Sequence, residues 1–200
     1  NINNVIFIDN LDNKKISLDT SKWILKEYQN VQAEYFKNIE KYQFHEIASL
    51  IYHFTWHTFC DWYIEFIKSD FANDEKSEET KKVSGWIFIQ ILKLLHPIMP
   101  FITEKLWLSL VDSQSFLMSQ NFTKITFDDS FNKSNKYTKK VIEVMTALRN
   151  LRADLNISYK NEIEIVVETK NEDLKKFINN FQNEFKRLIK TKSIKFEKVS

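Results

Sequence analysis

The sequence predicts a mainly α-helical protein, a helical bundle that carries a small strand-helix-strand appendage at its C-terminal end. Apolar residues recur every three or four positions along most of the 200 residues, which is the period of a helix with one buried face. Glycine occurs once and proline twice, so few residues interrupt helices. Beyond Asn156 the apolar residues alternate, as in a strand. We therefore expect a bundle over residues 1–158 and an appendage over 159–200.

Two helices are predicted in the first part of the chain. Asp19, Thr20 and Ser21 offer N-cap side chains for the first, whose apolar stripe continues to Tyr35. The second runs from about Phe44 to Lys68 and is long and aromatic. Residues 69–80 are charged and poorly periodic, so we expect a loop there.

Three further helices are predicted before the appendage. The third covers Val83 to Leu95, contains Gly85 as a mildly unfavourable residue and ends at a His-Pro pair. A short fourth helix follows from Phe101 to Leu110, and the fifth carries a strict apolar alternation from Val141 to Leu155. Residues 112–136 lie between them and are predicted to form a surface excursion.

The appendage is predicted from its change of period. Ile163, Ile165 and Val167 alternate as a strand, residues 174–189 are periodic as a helix, and Ile194 with Phe196 alternates again.

Composition restricts the class of protein. A net charge of +2 with 43% hydrophobic residues indicates a globular chain without a global basic signal. A single cysteine, Cys60, excludes an intrachain disulfide and fits a reducing compartment. No apolar run reaches the roughly 18 residues of a membrane span, and the chain begins with neither a signal peptide nor Met. We expect a monomeric fragment of a longer cytoplasmic protein.

No catalytic site is predicted. One glycine cannot build a phosphate-binding glycine loop, and the nucleotide-activating signatures HxGH and KMSKS do not occur. Cys60 lies in mid-helix beside Asp61, whose charge opposes thiolate formation. His53, His57 and Cys60 share one helix face, but no second ligand pair accompanies them. We therefore predict no metal site; a small metalloprotein that uses these three residues is the alternative.

Asp61 stands among aromatic residues in the string FCDWYIE, where a buried carboxylate requires a partner. The chain has only three arginines, and Arg149 and Arg152 are candidates to pair with Asp61 or Glu65. On that hypothesis Asp61→Ala removes about 3 kcal/mol of stability. The alternative is that the two arginines contact phosphates or bases.

Other residues are candidates for nucleic-acid contact. Lys136, Lys139 and Lys140 form a basic cluster at the start of the fifth helix, and an aromatic side chain such as Trp56 offers a stacking platform. The alternative for the lysines is that they only form a solvated face of the helix, and the alternative for Trp56 is that it packs in the core.

Three blocks of the sequence together resemble one family. Residues 54–65 (FTWHTFCDWYIE), 94–107 (LLHPIMPFITEKLW) and 149–158 (RNLRADLNIS) resemble the anticodon-binding domain of the valyl-tRNA synthetases, and residues 18–25 resemble its opening helix. Order and spacing agree from about residue 15 to 168. Ser69 and Tyr159-Lys160 stand where the family commonly has proline, which affects turns at helix ends.

The resemblance implies a bundle of the class Ia synthetase type that grips the anticodon stem-loop of valine tRNA. Catalysis and editing then belong to other domains of the same chain, where ATP and magnesium are used, and this fragment holds no cofactor. Phe7 with the N-terminal segment, the helix over 44–68 and the fifth helix become candidate tRNA surfaces. Two alternatives remain: the equivalent domain of an isoleucyl- or leucyl-tRNA synthetase, and a helical protein-interaction module that does not bind tRNA.

Overall fold

The structure is a computed structural model that describes residues 5–8, 11–72, 74–111, 115–123 and 127–197. It is mainly helical, with a two-stranded parallel sheet near the C-terminal end of the described residues, so the predicted fold class is confirmed. The chain divides into two compact units, Asn1–Asn132 and Lys133–Ser200. No helix within the described ranges is both long and apolar enough to cross a membrane.

The first unit contains most of the helices. In chain order they are α1 (Asp19–Glu40), α2 (Phe44–His53), a π-helical segment (Phe54–Tyr63), α3 (Ile64–Ile67), α4 (Asp74–Leu95) and α5 (Pro100–Leu110), with short 3₁₀ turns at Asn13–Lys15, Asp70–Ala72 and Leu117–Ser119. The first four predicted helices are all present.

The core of this unit is aromatic. On α1, Trp23 contacts Tyr63 and Phe66, with ring centroids 6.5 and 5.8 Å apart. One turn further along the same helix, the Tyr28 ring meets Trp86 of α4 edge-on at 5.2 Å. All five side chains are buried, so aromatic contacts join α1 to the π-helical segment, α3 and α4.

The stretch over 44–67 is one continuous helix, as predicted, but its middle is π-helical. The buried side chains explain the change: Ile51 and Phe54 are three residues apart, whereas the next buried residue, Phe59, lies five further on. A π-helix repeats its hydrogen bonds every five residues and keeps such a pair on one face, which an α-helix does not.

The prediction of a loop over residues 69–80 was wrong for 74–80, because α4 already begins at Asp74. Residues 76–80 of this helix are all polar, so no hydrophobic period marks its start. The Glu79 carboxylate accepts hydrogen bonds from the backbone N–H of Ser17 and of Leu18, both at 2.9 Å, and from the Ser17 hydroxyl at 2.7 Å. Glu79 therefore caps the start of α1 from a neighbouring helix.

The structure explains why a glycine occupies position 85 inside α4, which the sequence alone does not. The N-terminal segment crosses α4 so closely that a Cβ at position 85 would lie 2.1 Å from the carbonyl oxygen of Ile6. The Ile6 N–H donates to the Lys81 carbonyl at 3.3 Å. Glycine at position 85 thus permits the chain to pass over the helix.

Part of the predicted surface excursion over 112–136 packs closely. Leu117 is buried, and the Trp107 indole N–H donates to the Ser115 carbonyl at 2.9 Å. The last residues of the range belong to the helix that starts at Asp129. Residues 112–114 and 124–126 lie outside the described residues.

The second unit is the appendage together with the long helix before it. Its elements are α6 (Asp129–Asp154), which begins in the last residues of the first unit, then β1 (Ile163–Glu168), α7 (Glu172–Asn180), α8 (Gln182–Ile189) and β2 (Thr191–Glu197). The two strands pair in parallel, with Ile165 beside Ile194. Both predicted strands are confirmed, and the predicted helix between them is divided into two at Phe181.

Contacts within this unit explain why α6 groups with the strands. The Tyr137 ring stacks on Phe177 of α7 at 4.9 Å, and the Lys133 ammonium lies 2.9 Å from the Asp173 carboxylate. The predicted boundary at residue 158 therefore falls inside a compact unit; as the end of the tRNA-binding bundle it stays a prediction.

Candidate nucleic-acid interface

Phe7 lies in the packing of the first unit. Its ring is half-buried and meets Phe88 edge-on at 6.1 Å. Beside these two rings lies a buried cluster that includes Trp107 and Leu117. This position favours a packing role over an open stacking surface.

Trp56 lies on the outside of the π-helical segment, with 55% of its surface exposed. Tyr52, four residues earlier, is also exposed, and the two rings border an apolar groove of about 320 Å³. The groove is lined by Ala48, Ile51, Tyr52, Thr55, Trp56, Leu95, Ile98 and Met99. An indole exposed beside an apolar groove offers a stacking surface for an unpaired base. Tyr52 was not among the predicted residues, although its spacing from Trp56 places it on the same helix face.

Two histidines contact Tyr52, one of the residues that line the groove. The rings of His53 and His57 stack with centroids 5.4 Å apart, and the Tyr52 ring is 6.0 Å from His57. His57 Nδ1 lies 3.2 Å from the carboxylate of Asp61. Both imidazoles contact the ring of Tyr52, and each offers nitrogen donors or acceptors.

The structure gives Asp61 and Glu65 partners other than those predicted. Asp61 is half exposed and pairs with His57, and Glu65 forms an ion pair with Lys68. The premise that Asp61 is enclosed by aromatic side chains was wrong, because its position on the π-helical segment turns it to solvent.

Cys60 is exposed on the same segment. Partial burial of the thiol and the adjacent Asp61 charge raise the pKa of Cys60 above its usual value, which disfavours the reactive thiolate. Within the described ranges, no three His, Cys, Asp or Glu side chains are arranged to hold a metal ion.

The lysines of α6 are exposed. Lys136, Lys139 and Lys140 lie within one turn of each other and share one side of the helix. The Lys136 ammonium lies 5.6 Å from the centre of the Tyr137 ring, and Lys140 is 3.4 Å from the Glu143 carboxylate. Exposed ion pairs of this kind are weak and are exchanged readily for a phosphate.

The two arginines of α6 have different environments. Arg149 is exposed, and about two and a half helical turns separate it from Lys140, so it lies on the opposite side of α6. Arg152 is only 6% exposed. Its guanidinium donates to the carbonyls of Ser158 at 2.6 Å, Asn161 at 2.8 Å and Ile189 at 3.3 Å. Arg152 therefore fixes the turn after α6 to the end of α8.

Comparison with known proteins shows which family model and which relatives this sequence matches. The family model described as the anticodon-binding domain of tRNA ligase matches residues 21–167. A valine--tRNA ligase of Pelagibacter ubique is 35% identical over 97% of this chain and 23% of its own length. The corresponding ligases of Lactobacillus johnsonii and Aquifex aeolicus are 34% and 32% identical, over 84% and 90% of this chain. The chain spans 19% and 16% of these two relatives.

Proposed function

Since the chain belongs to the family of anticodon-binding domains of tRNA ligases, we propose that it binds the anticodon stem-loop of valine tRNA as one domain of a valine--tRNA ligase. The observation that carries this proposal is the family match over residues 21–167. The curated relatives above, all valine--tRNA ligases, support the choice of amino acid over the isoleucine and leucine alternatives.

The activity of the whole protein follows as a further part of the proposal. The parent polypeptide attaches valine to its tRNA with ATP and magnesium, on a catalytic domain outside residues 1–200. An editing domain accompanies it, because an apolar pocket cannot reject an isosteric hydroxylated amino acid sufficiently by binding alone. We place the parent in the cytoplasm as a monomer. Residues 1–200 supply binding and no catalytic group.

Two surfaces carry the proposed binding. On α6, Lys136, Lys139 and Lys140 contact phosphates on one side, and Arg149 offers a charge on the other. In the first unit, Trp56 stacks on an unpaired base. Arg152 and Phe7 support the fold instead, because one is bonded to carbonyls and the other packs on Phe88.

Binding of tRNA by the parent protein over a series of salt concentrations tests the proposal. Valine tRNA should bind more tightly than the same tRNA with an exchanged anticodon, and the affinity for both should fall as salt rises. Equal affinity for the two tRNAs at every salt concentration would contradict recognition of the anticodon.

A matched pair of variants tests the stacking residue. Trp56→Leu should weaken binding by about 1–3 kcal/mol, the usual contribution of a base stacked on an aromatic side chain. Tyr42→Leu changes an aromatic residue of the same unit that is 80% exposed and lies outside the helix over 44–68, so it should leave binding unchanged. If both variants bind like the unaltered protein, Trp56 does not stack on the tRNA.

A further inference from the structure

We propose that the outer face of α5 is an interface on which another domain of the same polypeptide packs. This face, called the α5 face below, consists of Phe101, Ile102 and Leu108 on the helix and of Phe116 and Met118 in the segment beside it. The inference rests on the proposed function to the extent that the function places this chain within a longer protein.

The α5 face exposes large apolar side chains. Phe101 is 90% exposed, and the other four side chains are exposed as well. Phe101 and Leu108 are seven residues apart, about two turns, so they lie on the same side of the helix. The opposite side is anchored in the core by Thr103 and Trp107, which are buried. The exposed Lys105 lies between Phe101 and Leu108 on this side. Five exposed large apolar side chains on one helix and the segment beside it nevertheless mark an interaction site more often than free surface.

Contacts behind the helix hold the α5 face in place. His96 Nδ1 and the Thr103 hydroxyl lie 2.8 Å apart, and the same hydroxyl donates to the Met99 carbonyl at 2.8 Å. The Glu104 carboxylate accepts the N–H of Leu117 at 2.9 Å. These bonds join the corner between α4 and α5 to the segment that carries Phe116 and Met118. The backbone that carries the exposed side chains is therefore held in place before a partner binds, which lowers the backbone entropy lost on binding.

The chemistry of the α5 face favours a protein over RNA. Lys105 is the one cation among the α5 residues, whereas binding of a phosphate backbone depends on several. The aromatic and methionine side chains of the face are those enriched at the centres of protein interfaces.

The length of the relatives favours a domain of the same polypeptide over a second copy of this chain. The chain spans 23% of the Pelagibacter ubique ligase, so most of such a protein lies outside these residues. A domain joined through the chain is present at an effective concentration in the millimolar range. It therefore occupies the α5 face before a second molecule in dilute solution does.

Photo-cross-linking of the full-length parent protein tests this inference. The cross-linker p-benzoyl-phenylalanine is placed at position 101 and, in a second protein, at position 118. Position 44 serves as the matched control, because Phe44 is also an exposed ring of the first unit but lies outside the α5 face. The proteins are irradiated without tRNA at several dilutions, and the joined peptides are identified by mass spectrometry.

We expect positions 101 and 118 to join peptides of the same polypeptide from outside residues 1–200, with a yield that dilution does not change. Position 44 should give no such product. Products that are twice the size of the protein and that disappear on dilution would overturn the inference in favour of a second copy. Cross-links that form only with tRNA would overturn it in favour of RNA, and the absence of products at both positions would show that the α5 face is open. Failure of tRNA discrimination with the expected cross-links would contradict the proposed function alone.

Discussion

Arg152 shows how one residue type serves different roles within a single turn of helix. Its guanidinium is buried and bonded to three carbonyls, whereas the Arg149 side chain is exposed on the same helix. The guanidinium is planar and carries five donors in a fixed geometry, so it can bond three separate acceptors at once. The sequence alone presents the two arginines as equivalent, because both follow the same apolar stripe.

We predict that Arg152→Ala lowers the free energy of unfolding of the chain by about 3 kcal/mol, since it leaves carbonyls without their charged donor. Arg149→Ala should change it by less than about 0.5 kcal/mol, as is usual for an exposed side chain. Urea unfolding of the two variants measures both values. Arg152→Lys keeps the charge and should be intermediate. Equal midpoints for the three variants would contradict the role of the guanidinium.

Asp61 provides the second prediction at this scale. The exposed pair with His57 contributes little to stability, so the loss of about 3 kcal/mol that a buried ion pair would give is not expected. Asp61→Asn should leave the unfolding midpoint nearly unchanged. It should, however, speed the alkylation of Cys60 near neutral pH, because one cause of the raised pKa of the thiol is removed and more thiolate is present.

The rate of iodoacetamide modification as a function of pH checks this prediction. The midpoint of the profile should move to lower pH in Asp61→Asn and remain above that of a free thiol, since burial, the larger cause, persists. Glu65→Asn changes a carboxylate one turn further along and serves as the control. An unchanged profile for Asp61→Asn would show that its charge does not act on Cys60.

At the scale of the elements, packing determines the helix type and the helix ends where the spacing of apolar residues does not predict them. The long aromatic helix was predictable from its apolar residues, and its π-helical middle was not, because five-residue spacing between Phe54 and Phe59 also arises by chance. The first turns of α4 were not predicted because the residues they bury, Ser77 and Thr80, are polar. A search for apolar stripes does not detect such residues.

Gly85 gives the prediction that belongs to this scale. Alanine is normally about 1 kcal/mol better than glycine inside a helix. At position 85, however, the added Cβ would lie 2.1 Å from the Ile6 carbonyl oxygen, so the N-terminal segment must leave α4. We expect Gly85→Ala to increase hydrogen exchange and protease cleavage around residues 5–8 and to lower the unfolding midpoint.

A truncated chain separates the two effects of this substitution. Without residues 1–8 the atoms nearest to the added Cβ, those of Val5 and Ile6, are gone, and Gly85→Ala should then raise the midpoint through helix propensity. The same sign in both backgrounds would contradict the explanation.

At the scale of the whole molecule, the sequence predicts the class and the family better than the site. The helical period and the three motif blocks lead to the fold and to the family. The residue type alone does not predict whether a candidate residue is exposed or buried. Trp56 is exposed as its proposed role requires, whereas Phe7 and Arg152 are held in packing. Burial and hydrogen-bond partners depend on residues far away in sequence, such as Ile189 for Arg152, and no local pattern contains that information.

The lysines of α6 lead to the last prediction. If Lys136, Lys139 and Lys140 neutralise phosphates, replacing all three by Gln should reduce the slope of log affinity against log salt by about two to three, because each phosphate contact contributes roughly 0.7 to 0.9 to that slope. Affinity for valine tRNA and for the tRNA with an exchanged anticodon should fall by similar factors, since phosphate contacts carry no sequence information.

The matched control removes the same charge from another place. Lys37, Lys41 and Lys76 are exposed in the first unit and lie outside the candidate tRNA surfaces, and their joint replacement by Gln lowers the net charge equally. If the side of α6 that carries the three lysines contacts the phosphate backbone of the tRNA, only the α6 variant has a reduced slope of log affinity against log salt. If both variants lose slope equally, the lysines act through the overall field of the protein. An α6 variant that loses preference for the anticodon but keeps its slope would mean that these lysines contact bases.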